Sequence, residues 1–288
     1  MPTHTKITQK LVSLLPEKTR NRLLKHLSSR RFEQYMKNRL GHFYIDVDTG
    51  PIGTKELIMK TSLMNECDIK KKMDPNVYLS SGRLQIISWM NILEKSGFNI
   101  RTAGAIMELG CGTARLIRHL RCIDGVRLVG TDAQSELIEW CSRNVPGIEF
   151  HNNDLKPPLE FAENDTFDLV FAASVFTHIP IENQSSWIKE LHRVIRPGGF
   201  LLCDVAGRYH RECQLSPEEI YRLNKDGVFT LTANDKGASL STKIVGSWDI
   251  FQSRGETIKA FRQSFTVVDY ISNSPGGLDI LVLQKPIK

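Results

Sequence analysis

Residues 105–114 read Ala105-Ile106-Met107-Glu108-Leu109-Gly110-Cys111-Gly112-Thr113-Ala114, and this stretch decides the fold. Ala105 to Leu109 is a short, mostly apolar run of strand length. It enters a turn with two glycines, and the following TARLIRHLRC (113–122) is apolar at helical spacing. Strand, glycine-rich turn, helix is the reading. Glycines at such a turn let the backbone take conformations closed to other residues and approach a ligand closely.

Downstream the rhythm repeats. VRLVGTD (126–132) reads as the next strand, SELIEWCSRN (135–144) as a helix and IEFHNND (148–154) as a third strand. FDLVFAAS (167–174) is a fourth, almost wholly apolar, as a strand buried on both faces of a parallel sheet should be. NQSSWIKELHRVI (183–195) is a helix stopped by Pro197, Gly198 and Gly199, and FLLCDVAG (200–207) is a fifth strand. This alternation predicts an α/β fold built from βαβ units with right-handed crossovers. Residues 207–252 break the pattern. They hold Pro217-Glu218-Glu219, a helix start, among several turns, and are read as an insertion over the active edge of the sheet. ETIKAFRQS (256–264) is helical, and FTVVDYI (265–271) and LDILVLQK (278–285) are two strands in a hairpin-like connection.

Upstream, SSGRLQIISWMNILEKS (80–96) predicts a helix capped by Ser80 or Ser81 and ended by Gly97. Residues 41–56 carry Gly41, Gly50, Pro51 and Gly53 and read as a linker, and 1–40 read as helical. The expected division is a basic helical extension or lid over 1–77 and an α/β domain over 78–288, with 207–252 as its cap.

The chain has 288 residues with 41% hydrophobic and 24% charged, ordinary for a globular protein, so a disordered or fibrous chain is excluded. Within residues 1–40, ten basic side chains face only Glu17 and Glu33. That local +8 exceeds the +6 of the whole chain, so the rest is slightly acidic and the α/β body has no overall basic field. No run reaches the roughly 18–20 apolar residues that a membrane span needs, and no secretory signal is recognised at the start. The six cysteines form no CxxC pair, so reduced thiols in a cytoplasmic protein are the simplest reading, and no metal-ligand cluster is expected.

Chemistry-bearing residues fall at successive strand ends. Asp132 closes the second strand, twenty residues after Gly112, where a carboxylate can accept from both hydroxyls of a ribose. Asp154 closes the third, where its carboxylate and the Leu155 backbone can read an adenine edge. Singly, either aspartate is as well explained by loop capping.

Together ELGCGTA (108–114), GTD (130–132), NNDL (152–155), FDLVFAASVFTHIP (167–180) and RPGGFLLCD (196–204) resemble the successive motifs of class I methyltransferases dependent on S-adenosylmethionine (SAM). The resemblance covers about residues 78–204, and the two C-terminal strands also fit. It implies a Rossmann-like, seven-stranded, mostly parallel sheet whose last strand runs antiparallel between the fifth and sixth. It further implies SAM as cofactor. Gly110, Cys111 and Gly112, with Thr113, would line its methionine and ribose part, and Glu108 would organise the turn. Asp132 and Ala133 would hold the ribose, Asp154 and Leu155 the adenine, and Ala173 and Ser174 the methionine end. Tyr78 and Arg83 resemble the segment that family members place over the methionine, with Arg83 able to pair with its carboxylate; a solvated helix position is the plainer reading of Arg83. Ala114 and Arg115 stand where a dinucleotide-binding G-x-G-x-x-G would continue toward glycine, which counts against a nicotinamide fold.

Methyl transfer from a sulfonium needs alignment of the acceptor and removal of its proton. His178, just after the fourth strand, is the best-placed base, with Asp204 and His210 as second choices; ordering the loop is the alternative role for His178. No Asn/Asp-Pro-Pro-Tyr/Phe segment or Pro-Cys nucleophile appears, which leaves O- or N-methylation. A soft similarity to glycan and natural-product methyltransferases of bacterial biosynthetic clusters points to a small-molecule or glycan acceptor. The aromatic residues Tyr209, Tyr221, Trp248 and Phe251, with His210, either line the acceptor pocket or form the insertion's own core. The basic segment 1–40 admits three readings: a lid or oligomer contact, an anionic membrane surface at the inner face of a membrane, or an arm for nucleic acid. Two competing functions stand beside the leading one: a nucleic-acid methyltransferase using that arm, and a non-catalytic SAM-binding regulator.

Overall fold

The computed structural model describes residues 50–51, 75–235, 248–272 and 278–287; the readings on 1–40, and the Tyr209 side chain, lie outside the described residues. The elements are α1 (Pro75–Lys95), β1 (Ala105–Leu109), β2 (Arg127–Asp132), α2 (Ser135–Asn144), β3 (Glu149–Asn152), β4 (Phe167–Ala172), α3 (Ile181–Val194) and β5 (Ile195–Val205). They continue with α4 (Arg208–Gln214), α5 (Pro217–Asp226), β6 (Val228–Thr232), β7 (Trp248–Gln252), α6 (Arg254–Arg262), β8 (Thr266–Ile271) and β9 (Asp279–Gln284). Seven strands form one sheet in the order β3-β2-β1-β4-β5-β9-β8. The first five are parallel, and β9 pairs antiparallel with both β5 and β8. This is the Rossmann-like sheet expected from the sequence. No helix among the described residues is long and apolar enough to cross a membrane.

Alternation along each strand splits the core into two layers. Met107, Leu109, Val170, Ala172, Leu201 and Cys203 face Trp187, Ile188 and Leu191 of α3 and Phe261 of α6. On the other face, Phe171 meets Trp89 of α1 edge-on at 6.2 Å, and Ile86, Ile87, Met90 and Leu93 of α1 are buried. Burying side chains of this size stabilises by about 1.5–3 kcal/mol each. Strand order reverses between β1 and β4, so the crevice beyond their C-terminal ends is the place such a sheet offers a ligand.

Two local expectations are corrected. The segment after the glycine-rich turn is not an α-helix: it runs as turns into a 3₁₀ helix, Ile117–Cys122. Gly110, Gly112 and Ala114 all have positive φ (69°, 53° and 57°), so the chain cannot enter a right-handed helix until it has passed them. The helix predicted over 80–96 begins at Pro75, and the Ser81 hydroxyl donates to the Tyr78 carbonyl within it instead of capping it. The helix does stop at Gly97, at φ 94°.

The described residues of the insertion expected to form a cap have their own small core. Leu215, Leu223, Leu231 and Phe251 pack together with Ala206 under the antiparallel pair β6–β7. Helix α5 starts at Pro217 as read, with Ser216 and Glu219 forming a capping box and Gly227 closing it in the left-handed region.

Candidate active site

The glycine-rich turn is held from three sides. The Cys111 amide donates to the Thr131 carbonyl (2.9 Å) and the Gly112 amide to Asp132 Oδ2 (2.9 Å), which ties the turn after β1 to the end of β2. A Cβ at Gly110 would collide with Val175 Cγ2, so the turn also lies against the loop after β4. Below it, a carboxyl oxygen of the buried Glu108 accepts from the Ile117 amide (2.9 Å) and fixes the chain as it leaves the turn. Glu108 thus acts through the backbone directly, on a residue beyond the turn it was expected to organise.

The Cys111 side chain is buried against Cys141, and contact between the two thiols, then burial, holds it protonated. Only its backbone is left to face a ligand. Thr113 is also buried and bonds Tyr78 (2.5 Å), so these two join α1 to the turn. Arg83 is buried, not solvated. Arg115 explains why no third glycine follows. Its guanidinium donates to Gln85 (2.6 Å) and Ser81 (3.3 Å) and lies over the Tyr78 ring, locking α1 onto the turn. Gly82 permits that approach, since a Cβ there would collide with the Arg115 carbonyl.

Asp132 is half-buried at the crevice. Besides Gly112, its Oδ1 accepts from the Gln134 amide (2.9 Å). Burial raises its pKa, and the amides of Gln134, Gly112 and Ala133 pull it back. A carboxylate offers about four acceptor positions, so beside these three amides it retains capacity for one ribose hydroxyl. The residues present therefore fit SAM at this edge. Asp154 and Leu155 are exposed just beyond β3. Two residues that the sequence did not single out hold this rim. The Thr131 hydroxyl donates to Asn153 Oδ1 (2.7 Å), and Asn153 Nδ2 donates to the Asp154 carbonyl (2.7 Å).

Beyond β4, Ala173 is buried and Ser174 sits at φ 56°, with its amide donating to Asp204 Oδ1 (2.5 Å). Asp204 thus holds the loop that carries Ser174. His178 Nδ1 lies 2.7 Å from the Trp248 carbonyl and 3.6 Å from Asp249 Oδ1. Burial lowers its pKa, so the ring is neutral at pH 7. His210 stacks on Phe251 (5.9 Å between centroids, 27°), and its pKa is also lowered, first by burial and partly by His178. Of the cap aromatics, Phe251 belongs to the cap's core, while Tyr221 and Trp248 are exposed.

Burial pushes the Glu108 carboxyl from 4.5 up to about 8. The folded state then holds a proton that the unfolded chain has released. This contribution is complete below about pH 4.5 and is lost as pH rises through about 8. Asp204, pushed up to about 7 by burial, acts in the same direction over a lower window. Wild-type Tm is expected to fall by roughly 3–6 °C between about pH 6 and about pH 9, and Glu108→Gln should flatten much of that slope. Equal slopes in the two proteins, read by circular dichroism melts, would remove Glu108 as the cause.

Comparison with known proteins agrees with this geometry. Residues 106–199 match a family described as a methyltransferase domain. A trans-aconitate 2-methyltransferase from Azoarcus is 30% identical over 111 residues, 37% of this chain and 41% of that protein. A demethylmenaquinone methyltransferase from Chlorobaculum parvum is 31% identical over 33% of this chain and 37% of its own length. The chain thus spans about two fifths of these relatives. A SAM-dependent methyltransferase from Methanosarcina mazei shares the fold with a TM-score of 0.51 at 18% identity, covering 68% of this chain and 98% of that one. The glycine-rich turn, the aspartate at the end of β2, the strand order and the matched segment agree: residues 106–199 are similar to a methyltransferase domain, and the sheet around them has the Rossmann-like fold of solved SAM-dependent methyltransferases.

Proposed function

We propose that the chain transfers a methyl group from SAM to an oxygen or nitrogen of a small-molecule or glycan acceptor. The observation that carries this reading is the double tie of Asp132, to Gly112 across the crevice and to Gln134 on its own loop, which builds a ribose-binding edge beside the methionine-facing turn. When bound, SAM supplies an electrophilic methyl on a sulfonium. The chain's own residues orient it through Asp132 and the turn, and the insertion's strand β7 is tied to the loop after β4 at the same end of the sheet.

The similar proteins are named for different acceptors: trans-aconitate, demethylmenaquinone and, in Mycobacterium ulcerans, phthiotriol/phenolphthiotriol dimycocerosates. The shared segment ends before the cap, which supports acceptor choice by residues 207–252. Incubating a cell extract with the protein and methyl-labelled SAM, followed by mass spectrometry, should show label on a small molecule or glycan. Label on nucleic acid alone would overturn the acceptor class. SAM binding without any label transfer would favour the non-catalytic regulator.

A further inference from the structure

Strand β7 of the insertion reaches back to the main sheet. It seizes the loop after β4 at two adjacent points: the Ile250 amide donates to the Thr177 carbonyl (2.7 Å), and the Trp248 carbonyl receives His178 Nδ1 (2.7 Å). A carbonyl can only accept, so Nδ1 carries the proton and Nε2, on the far edge of the ring, holds a lone pair. Between these two contacts lies Asp249, a buried residue whose Oδ1 is 3.6 Å from the same Nδ1. That separation is too long for a hydrogen bond but short enough to stabilise a positive ring. The loop it acts on also carries Val175, which packs against Gly110 of the cofactor turn.

We propose that Asp249, together with the Trp248 carbonyl, is a positioning residue that sets His178 Nε2 as the general base for methylation of a hydroxyl. This rests on the methyltransferase reading above. A hydroxyl must lose its proton on methylation, whereas a carboxylate arrives without one, so a built base argues for the hydroxyl. In the step, the acceptor oxygen forms the new O–C bond while the S–C bond of the sulfonium breaks, and its electron pair stays on sulfur as a neutral thioether. The hydroxyl proton passes to Nε2, giving an imidazolium that returns it to solvent. Asp249 stabilises that imidazolium. The groups that meet here are Asp249 from β7, which favours the charged form of both rings, and His210 from α4, whose own charged form His178 disfavours.

The test uses the full chain with SAM alone, so it does not wait for the acceptor. Ring signals of His178 are assigned by their loss in His178→Gln and titrated by NMR. In wild type, nitrogen shifts should report the Nδ1–H tautomer; the Nε2–H tautomer would overturn the proposal without any variant. In Asp249→Asn the titration midpoint should fall by about 1 pH unit, as loss of a nearby opposite charge dictates, while SAM affinity stays within about twofold by calorimetry. An unchanged midpoint in a folded Asp249→Asn protein would also overturn it. Failure of the wild-type chain to bind SAM would instead sink the methyltransferase reading, and the titration would still report the Asp249–His178 pair. With the acceptor in hand, Asp249→Asn should slow transfer by about 10²-fold and move the rising limb of the rate profile to lower pH, with Asp249→Glu recovering part of the rate. A rate loss with an unmoved limb would mark a merely structural role.

Discussion

SAM affinity is expected to fall by more than about 30-fold when Gly110 is replaced by alanine. Two costs combine at this position. The residue sits at φ 69°, where an L side chain costs about 1–2 kcal/mol. Its new Cβ would also run into Val175 Cγ2, an overpacking that costs about 1–3 kcal/mol. Without ligand, the turn can relieve both by leaving its conformation, so the loss appears in binding more than in folding. At about 1.4 kcal/mol per tenfold, the sum is well over an order of magnitude. Calorimetry with SAM measures it directly, and a melting curve tells binding from stability. A Gly110→Ala protein that binds SAM within about threefold of wild type would show that the turn does not hold the cofactor in this conformation. Trimming Val175 to alanine in the same protein should return the share due to collision and leave the share due to φ.

Replacing Asp132 with alanine is expected to weaken SAM binding by roughly 1–3 kcal/mol, or about 5- to 150-fold. The change removes the acceptor for the Gly112 amide and the one for the Gln134 amide along with the ribose contact. Asp132→Asn keeps one oxygen and should fall between the two. Burial raises the Asp132 pKa, so wild-type affinity should also decline on acidification at a higher pH than an ordinary aspartate would give, and that decline should vanish in Asp132→Ala. Unchanged affinity in Asp132→Ala would reassign the ribose to another residue.

The strands and their partners were readable because a buried parallel strand leaves a nearly continuous apolar run, as FDLVFAAS does, and because carboxylates and glycines cluster where such strands end. The segment after the turn misled for a physical reason. Leu116, Ile117 and Leu120 satisfy the spacing of an α-helix and of a 3₁₀ helix alike, and the positive φ of Ala114 leaves no mark in composition. The start of α1 was missed because the Ser81 hydroxyl serves the helix from inside, through Tyr78. Tyr78 and Thr113 were named as cofactor residues, and the structure gives them to each other, 35 positions apart. Asp249 could not be found by spacing at all: the carbonyl beside it reaches His178 across 70 residues, and only the folded cap brings them together.

Strand β9 lies between β5 and β8, although it is made after both. On a ribosome, the first five strands can pair as soon as they emerge, because each lies beside one already formed. The outer edge of β5 then waits, with Phe200, Leu201, Leu202 and Cys203 facing no partner until residues 279–284 are synthesised. An apolar open edge of that length is a template for pairing with another chain. The nascent protein therefore passes through a stage in which most of its cofactor-binding half is assembled while its most aggregation-prone border is bare. Expression yield should depend on how quickly the final hairpin reaches that border, and a chaperone that shields strand edges would act in this interval and not after it.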